Sequence, residues 1–296
     1  IKLIPNTLVG VARDMHAWTD LNGVRYTAIG TDRKLYIYSE GVAYDITPVR
    51  GSPGSITGFT TTNNSATVTV TDPSHGAEVG DFVTISSTSG PVNGIPAATM
   101  NAEYEILTVP SANTYTITTA TAATSTGTST ATATATYQIS VGTAVSQYGY
   151  GWGTYEWGKE AWGEPRSTSN VTIEGRNWSF DNFGEDLLAT VNNGNTFRWD
   201  TSVGVGTPAA VISAAPTVSR FNLVSMPDRH VFLFGTETTI GNSTTQDDLF
   251  LRFASQEDYN TWVPTATNTA GSFRIQDGSK IVTAVRSRNA VLVWTD

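Results

Sequence analysis

Several residue types that carry common protein chemistry are absent or scarce in this chain. Its 296 residues include no cysteine, which excludes disulfides, thiolate zinc sites and cysteine nucleophiles. Only 15% of the residues are charged, and Lys and Glu in particular are scarce. No window repeats apolar residues with a period of 3.6, so the sequence predicts few and short helices.

Basic clusters and long apolar runs are missing as well. The chain has 17 Lys and Arg, scattered among 26 Asp and Glu, and its net charge is −9. Proteins that bind phosphates of nucleic acids concentrate basic residues, so sequence-specific DNA binding is not expected. An acidic surface instead suits a protein past which DNA slides without adhering. No run of 18 apolar residues occurs, so no membrane span is predicted.

The residues that dominate are Thr, Ser, Ala and Gly, a composition typical of strands and turns. Strand-like runs lie at 26–29, 34–38 and 41–46, separated by turn residues. The GSPGS stretch from Gly51 to Ser55 then breaks the pattern. The sequence therefore predicts a propeller-like β-meander over 1–52, followed by a domain boundary.

A second β-rich unit with a different residue pattern is predicted over 53–140. Short apolar runs at 66–71, 82–85, 104–109 and 114–118 have the spacing of a small barrel or sandwich.

The run from Thr119 to Thr136 contains only Thr, Ala, Ser and Gly. Such a run is compatible with a long, weakly packed strand or with a mobile linker. We expect one extended strand that returns toward the first domain, because Thr favours strands. Its side chains are too small for us to expect a contribution to a core.

An aromatic loop is predicted from Gln147 to Gly163, which reads QYGYGWGTYEWGKEAWG. Trp152, Trp157 and Trp162 recur every five residues, and each is followed by Gly. A period of five fits neither a helix nor a strand. A solvent-exposed loop rarely carries as much apolar surface as three Trp rings. These residues are therefore the candidate interface with a neighbouring subunit.

A hairpin pattern recurs along the chain. LLATV-NNGN-TFRW, at 187–199, matches IVTAV-RSRN-AVLVW, at 281–294, and TAIG-TDRK-LYIY, at 27–38, is a third copy. Internal repetition at this scale is typical of a propeller or a related array, with a generic β-sandwich assembly as the alternative. The stretch Asp248–Asp296 contains four strand-like runs and is expected to form one four-stranded antiparallel blade.

These patterns predict an all-β fold, namely a partial β-propeller-like array of antiparallel blades with an inserted small β-barrel or sandwich module. The Trp/Gly-rich loop and the later blades occupy 141–296. The chain begins with IKLIPN, without an initiator Met, and ends in mid-strand at VLVWTD. We therefore expect it to be an internal piece of a longer protein, with its propeller truncated at the C-terminus.

Three stretches of the last third resemble a known family. RFASQEDYNTWVP from Arg252 to Pro264, NTAGSFRIQDG from Asn268 to Gly278, and NAVLVWTD from Asn289 to Asp296 are similar to tail-nozzle and packaged-DNA-stabilising (tail hub) proteins of short-tailed bacteriophages. The resemblance implies a hexameric ring that carries a β-propeller and lets the genome pass down its centre.

That resemblance sets the leading functional expectation. It implies a structural virion protein of a phage tail, a non-enzymatic conduit for genome retention and ejection. The implied partners are copies of itself in a ring, other tail or portal-adaptor proteins, and viral DNA passing without sequence-specific binding.

The inserted module resembles a different family. The stretches that carry this resemblance are HGAEVGDFVTI from His75 to Ile85, NAEYEILTV from Asn101 to Val109, and ANTYTIT from Ala112 to Thr118. They are similar to the first catalytic-cysteine half-domain of ubiquitin-activating enzymes. No ubiquitin chemistry follows, because the chain has no cysteine and no adenylating domain. The module is interpreted as a surface decoration or a contact between subunits.

Residues with catalytic or metal-binding potential are few. The three histidines, His16, His75 and His230, have no HxH or HExxH spacing, so no zinc site is predicted. His75 lies in a Gly-flanked turn and is expected to cap backbone groups there. No catalytic, cofactor-binding or metal-binding residue is predicted, and no cofactor.

Paired carboxylates leave one enzymatic alternative open. Glu156 and Glu160 lie in the Trp-rich loop, and Glu257 adjoins Asp258. Two carboxylates beside Trp are a pattern of glycan cleavage, which makes a carbohydrate-binding or glycan-cleaving surface propeller (an adhesin or depolymerase) the alternative function. The simpler interpretation is that Glu257 and Asp258 fill a solvated turn. A bacterial extracellular propeller unrelated to phages is a third possibility.

Overall fold

The protein consists of two compact units of antiparallel β-sheet. The computed structural model describes residues 7–141, 175, 177–288 and 290–296. One unit, called here the array, comprises Ile1–Ile46 and Val141–Asp296, and the other, the module, is Thr47–Ser140. The prediction of an all-β, blade-like fold is confirmed. In the described ranges no helix has the length and apolarity that a membrane crossing requires.

The first sheet of the array is a four-stranded meander. Its strands are β1 (Ala12–Thr19), β2 (Arg25–Thr31), β3 (Leu35–Ser39) and β4 (Val42–Asp45), paired in chain order. The predicted pairing of the second and third strands is confirmed. β1 was not predicted, because its sequence, ARDMHAWT, mixes charged and apolar residues. Only Asp14, His16 and Trp18 are partly sheltered from solvent.

The module is a β-sandwich. Its elements in chain order are β5 (Gly54–Ile56), β6 (Gly58–Thr61), β7 (Thr67–Thr71), β8 (Phe82–Ser86), α1 (Ala97–Met100), β9 (Glu103–Glu105), β10 (Thr108–Ser111), β11 (Thr114–Thr118), β12 (Gly127–Ser129) and β13 (Ala133–Tyr137). One sheet has the order β10-β11-β7-β6-β12 and the other the order β5-β13-β8-β9. Side chains of both sheets, such as Phe59 and Ile85, form one buried cluster.

The Thr/Ala-rich run at 119–136 is not the single extended strand that we expected. Only Gly127–Ser129 and the start of β13 are strand, because backbone contacts of the intervening residues, such as Ala123 N–H to Ser65 C=O at 2.9 Å, tie them to a neighbouring loop. The expectation that this run adds nothing to a core was also wrong. Ala123, Ala133 and Ala135 are buried in the module core, where small side chains let the two sheets approach closely.

The module begins at Thr47 rather than near residue 53. Val49 forms a β-bridge with Gln138, and the Arg50 N–H donates to the Tyr137 carbonyl at 2.8 Å. The chain entering the module is therefore paired with the chain leaving it, which joins the segment before GSPGS to the module.

The second sheet of the array follows the module. It comprises β14 (Trp178–Phe183), β15 (Asp186–Val191), β16 (Thr196–Trp199) and β17 (Ala210–Val211), again in chain order. The predicted hairpin of β15 and β16 is confirmed by its register. Its turn contains Asn193 in the left-handed conformation, with φ of 57°, which Asn adopts more readily than most residues.

The stretch Asp248–Asp296 does not form one blade, which corrects the prediction. The third sheet contains β18 (Phe221–Val224), β19 (Val231–Phe234), β20 (Phe250–Phe253) and β21 (Gly271–Arg274). A separate fourth sheet contains only β22 (Ile281–Arg286) and β23 (Val291–Thr295). The four strands lie where the sequence placed them, but β20 and β21 belong to the third sheet together with β19, and β22 and β23 form a sheet of their own.

The first strands of the sheets, β1, β14, β18 and β22, follow one another through the array. Apolar clusters fill the spaces between successive sheets. Leu188, Val224 and Trp262 are buried between the second and third sheets, and Phe234 and Ile281 between the third and fourth. This arrangement of antiparallel sheets side by side is a partial β-propeller-like array.

Candidate functional site

The candidate functional site is the polar network that joins the first strands. In β1, His16 Nε2 lies 2.5 Å from Asn182 Oδ1 of β14. The Ser179 hydroxyl of β14 donates to Asn222 Oδ1 of β18 at 2.7 Å. Each hydrogen bond crosses from one sheet to the next, so polar contacts as well as apolar ones hold adjacent sheets together.

Asp181 is the centre of this network. This residue is only 7% exposed, and its Oδ2 accepts a hydrogen bond from the Val224 N–H at 2.7 Å. Nη1 of Arg286 lies 3.0 Å from each carboxylate oxygen and also donates to the Val224 carbonyl at 3.3 Å. One carboxylate thereby links the second, third and fourth sheets, and its burial is compensated by a charged partner and a backbone donor.

The first strands carry balanced charge. β1 contains Arg13 and Asp14, β14 contains Asp181, β22 contains Arg286, and β18 has no charged residue. Burial raises the pKa of Asp14 above its usual value, against the lowering effect of the Met15 N–H and of His16. The four strands therefore present no basic stripe of the kind that binds a phosphate backbone.

Aromatic side chains fix the first sheet against the second. Trp199 is buried and meets the Tyr26 ring edge-on, with centroids 5.4 Å apart. Trp178 donates from Nε1 to the Thr31 carbonyl at 2.8 Å. The Trp178 ring approaches Gly30 so closely that a Cβ there would lie 2.3 Å from its Cδ1 atom, so Gly30 is required by this contact.

Two clefts open between the later sheets. One of about 340 Å³ is lined by residues such as Asn192, Arg220 and Lys280. The other, of about 470 Å³, is lined by residues such as His230, Phe232 and Arg286, with Asp228 as its acidic residue. Neither of these two clefts holds a pair of carboxylates, which glycoside hydrolysis requires.

The predicted interface residues Trp152, Trp157 and Trp162 lie outside the described residues, as do Glu156 and Glu160. The structure therefore tests neither the predicted interface nor the role of this carboxylate pair.

The second carboxylate pair belongs to a turn. Asp258 accepts hydrogen bonds from the Asn260 N–H at 2.7 Å and the Thr261 hydroxyl at 2.6 Å. Glu257 is exposed, has φ of 53°, and pairs with Arg229 at 3.1 Å. Asp258 thus caps its own turn and Glu257 forms an exposed ion pair, so the two carboxylates occupy a turn, as the simpler interpretation proposed.

The histidines have structural roles. Nδ1 of His75 accepts a hydrogen bond from the Ala77 N–H at 3.0 Å, which confirms that His75 caps its turn. Nδ1 of His230 lies 2.8 Å from the Ala254 carbonyl, and His16 belongs to the first-strand network. Within the described part of the chain, no group of three His, Asp or Glu side chains is arranged to hold a metal ion.

Asp181 and Arg286 were not singled out from the sequence. They are separated by 105 positions, and neither belongs to a recognisable motif. Only the hairpin repeat offered a signal, since it indicated that equivalent strands from distant parts of the chain lie side by side.

The fold and this network define the class of the protein as an all-β array of blade-like sheets with an inserted sandwich. No protein-family model and no curated protein matches the chain. Among solved structures it is similar to a phage phi92 endosialidase, with 16% identity, a TM-score of 0.24, and coverage of 93% of this chain and 38% of that one. The chain thus spans well under two thirds of the endosialidase. A match at this TM-score assigns neither a fold nor an activity.

Proposed function

We propose that this chain is a structural protein of a phage tail, a nozzle or hub component that forms a ring-shaped conduit for genome retention and ejection. The observation that carries the proposal is the first-strand network. Side-by-side sheets joined through His16, Asp181 and Arg286 make a rigid wall, and that wall has no basic stripe. The resemblance of Arg252–Pro264 and the stretches after it to tail-nozzle proteins points the same way.

In this proposal the chain acts without catalysis or cofactor. Copies of it form a ring, which the family resemblance makes a hexamer, and other tail or portal-adaptor proteins bind above or below it. Viral DNA passes through without sequence-specific contacts. Trp152, Trp157 and Trp162 form the contact between neighbouring copies, since buried Trp side chains dominate the binding energy of many interfaces.

The ring is tested by changing Trp152, Trp157 and Trp162 together to Ala. We expect the unaltered chain to give rings in electron micrographs and a multiple of the monomer mass in light scattering, and the variant to give monomers. A matched control changes Leu21, Val203 and Val263 to Ala, three exposed apolar residues outside the loop, and should leave the rings intact. Rings that survive the triple Trp change would contradict the proposed interface.

The conduit role is tested separately by DNA binding. We expect weak binding to duplex DNA with little dependence of the dissociation constant on salt concentration, because few phosphates would be neutralised. A steep salt dependence would contradict a non-adhering wall.

The glycan hypothesis has its own outcome. Breakdown of a polysaccharide by the isolated chain, lost in Glu156→Gln or Glu160→Gln, would replace the structural proposal with an enzymatic one.

A further inference from the structure

The larger of the two clefts, named here the hairpin cleft, opens between the turns of two complete hairpins. Its volume is about 470 Å³, and it is lined by residues of the β18–β19 turn, such as Asp228, and by residues at the turn of β22 and β23, such as Arg286. That turn is at the opposite end of the fourth sheet from the contact between the Asp296 N–H and the Lys280 carbonyl. Pockets for small molecules have volumes of about 300–1,000 Å³, so the hairpin cleft is large enough for a small ligand.

Arg286 presents an unused edge of its guanidinium. Its Nη1 makes the contacts with Asp181 and with the Val224 carbonyl, and Nε and Nη2 have no partner among the described residues. Nε–H and one Nη2–H are parallel and form a fork that fits the two oxygens of a carboxylate. Arg220 uses this edge in the same chain, where Nε and Nη2 donate to Oδ1 and Oδ2 of Asp248 at 2.8 and 2.9 Å. The free edge of Arg286 is therefore suited to bind a carboxylate.

Two hydrogen-bond acceptors line the same cleft. Nδ1 of His230 lies 2.8 Å from the Ala254 carbonyl, so Nδ1 carries the hydrogen and Nε2 of the neutral ring carries a lone pair. Asp228 is exposed, and in the part of the chain that the structure describes neither its carboxylate nor Nε2 of His230 has a partner. A cationic amine has three N–H donors and no acceptor, which matches this pair of groups.

An apolar wall adjoins these polar groups. Phe232 and Val291 line the cleft, and both pack, half-buried, against the apolar cluster between the third and fourth sheets. The Phe232 ring also lies edge-on to the ring of His230, with centroids 6.4 Å apart. An apolar group placed against this wall would remove its surface from water, which is favourable.

The charge of the cleft distinguishes between a simple carboxylate and a zwitterion. Arg286 carries a positive charge, but it is already matched by Asp181, and Asp228 is negative without a counter-charge. A ligand with only a carboxylate would add a further negative charge beside Asp228. The carboxylate and the ammonium group of an amino acid cancel, so a zwitterion leaves the balance unchanged and gives each charged group of the cleft an opposite partner.

We propose that the hairpin cleft binds a free α-amino acid with an apolar side chain. Its carboxylate accepts hydrogen bonds from Nε and Nη2 of Arg286, and its ammonium group donates to Asp228 and to Nε2 of His230. Its side chain packs against Phe232 and Val291. This inference is independent of the proposed tail function.

The probe is L-phenylalanine, added to the full chain at increasing millimolar concentration at slightly alkaline pH, where imidazole is ordinarily neutral. Binding is followed by NMR through the ring nitrogens of His230, one of three histidines in the chain, and the methyl groups of Val291. We expect saturable shifts at both residues. 3-Phenylpropionate lacks the amine and 2-phenylethylamine lacks the carboxylate. Each should bind at least about tenfold more weakly, because a charged hydrogen-bonding group is lost.

Two variants test the two charged contacts. Arg286→Lys keeps a positive charge beside Asp181 but removes the fork, and should weaken the binding of phenylalanine by at least about tenfold. Asp228→Asn should weaken the binding of phenylalanine and strengthen that of 3-phenylpropionate, because it removes a charge that attracts the amine and repels the anion. Matched controls are Arg288→Lys and Asp277→Asn, at exposed positions that do not line the cleft, and both should bind like the unaltered chain. An unchanged near-ultraviolet circular dichroism spectrum shows that each variant is folded.

Three results would overturn the proposal. The first is the absence of shifts at His230 and Val291 at every concentration of phenylalanine. The second is binding of 3-phenylpropionate to the unaltered chain as tightly as phenylalanine or more tightly, which would identify a simple anion as the ligand. The third is unchanged affinity for phenylalanine in folded Arg286→Lys protein, which would show that the carboxylate does not use the fork.

Discussion

The carboxylate of Asp181 and the guanidinium of Arg286 connect the second sheet of the array to the fourth across the third. Nη1 of Arg286 lies 3.0 Å from both carboxylate oxygens. Asp181 is buried, while the Arg286 side chain is 46% exposed. The contact therefore anchors a solvent-facing strand to a buried acid.

We expect Arg286→Met to lower the free energy of unfolding by about 1–3 kcal/mol, because it leaves a buried carboxylate with fewer donors. The measurement is urea denaturation of the full chain. Arg288→Met, on the exposed turn of the same hairpin, should change stability by less than about 0.5 kcal/mol. Equal losses in the two variants would show that the contact with Asp181 contributes little.

The close approach of Trp178 to Gly30 makes a second prediction. A methyl group at Gly30 would lie 2.3 Å from the indole ring, and such overpacking costs about 1–3 kcal/mol. Gly30→Ala should therefore lower the denaturation midpoint and alter the near-ultraviolet circular dichroism of the Trp residues. Gly206→Ala, where nothing lies within 4 Å, should be nearly neutral. A Gly30→Ala protein as stable as the unaltered chain would mean that the first and second sheets can separate without cost.

In the module, the Tyr137 hydroxyl donates to Asp72 Oδ2 at 2.6 Å, and both residues are buried. Burial, followed by the proximity of Tyr115 and Asp72, raises the pKa of Tyr137 far above its usual value. Tyr137→Phe should cost about 1–3 kcal/mol, since it removes a donor from a buried carboxylate.

A matched control is Tyr104→Phe, which removes a hydroxyl that donates to the neutral Thr99 carbonyl and should cost less. Spectrophotometric titration provides a second measurement, in which Tyr137 should stay protonated at a pH well above the ordinary pKa of tyrosine. Ionisation of every tyrosine near pH 10 in the folded protein would contradict the buried pair.

Asp200 should make stability depend on pH. Its pKa is lowered from 3.8, first by the Ser202 hydroxyl, then by the Ser202 N–H and Arg198, against the effect of burial. A carboxyl with a lowered folded-state pKa stabilises the protein above its unfolded-state pKa, and this stabilisation is lost as the pH falls through the folded-state value.

The stability difference between the unaltered chain and Asp200→Asn should therefore be greatest above about pH 4 and shrink at lower pH. Ser202→Ala should raise the pKa of Asp200 toward 3.8, measured from the carboxyl carbon shift by NMR. A stability difference that stays constant down to pH 2 would rule out this linkage.

Local features of the sequence predicted local features of the fold. The hairpins of β2 with β3 and of β15 with β16 follow from apolar runs around short turns, and the pairing of these strands is confirmed. His75 was expected to cap its own turn, and it does. In each case the interacting groups are a few residues apart, so turn chemistry and side-chain alternation suffice to specify them.

Non-local pairing was decided only by the tertiary structure. The four strand-like runs after Asp248 are real strands, but no local pattern states that β20 pairs with β19 across a long loop and leaves β22 and β23 as a separate sheet. The Thr/Ala-rich run was misjudged for the same reason, because Ala133 and Ala135 acquire a core role from the sheets that enclose them. Alternation of side chains defines which face of a strand is apolar. Which strand becomes its neighbour depends on packing against residues far away in the chain. The contact of Asp181 with Arg286 depends on such distant residues in the same way.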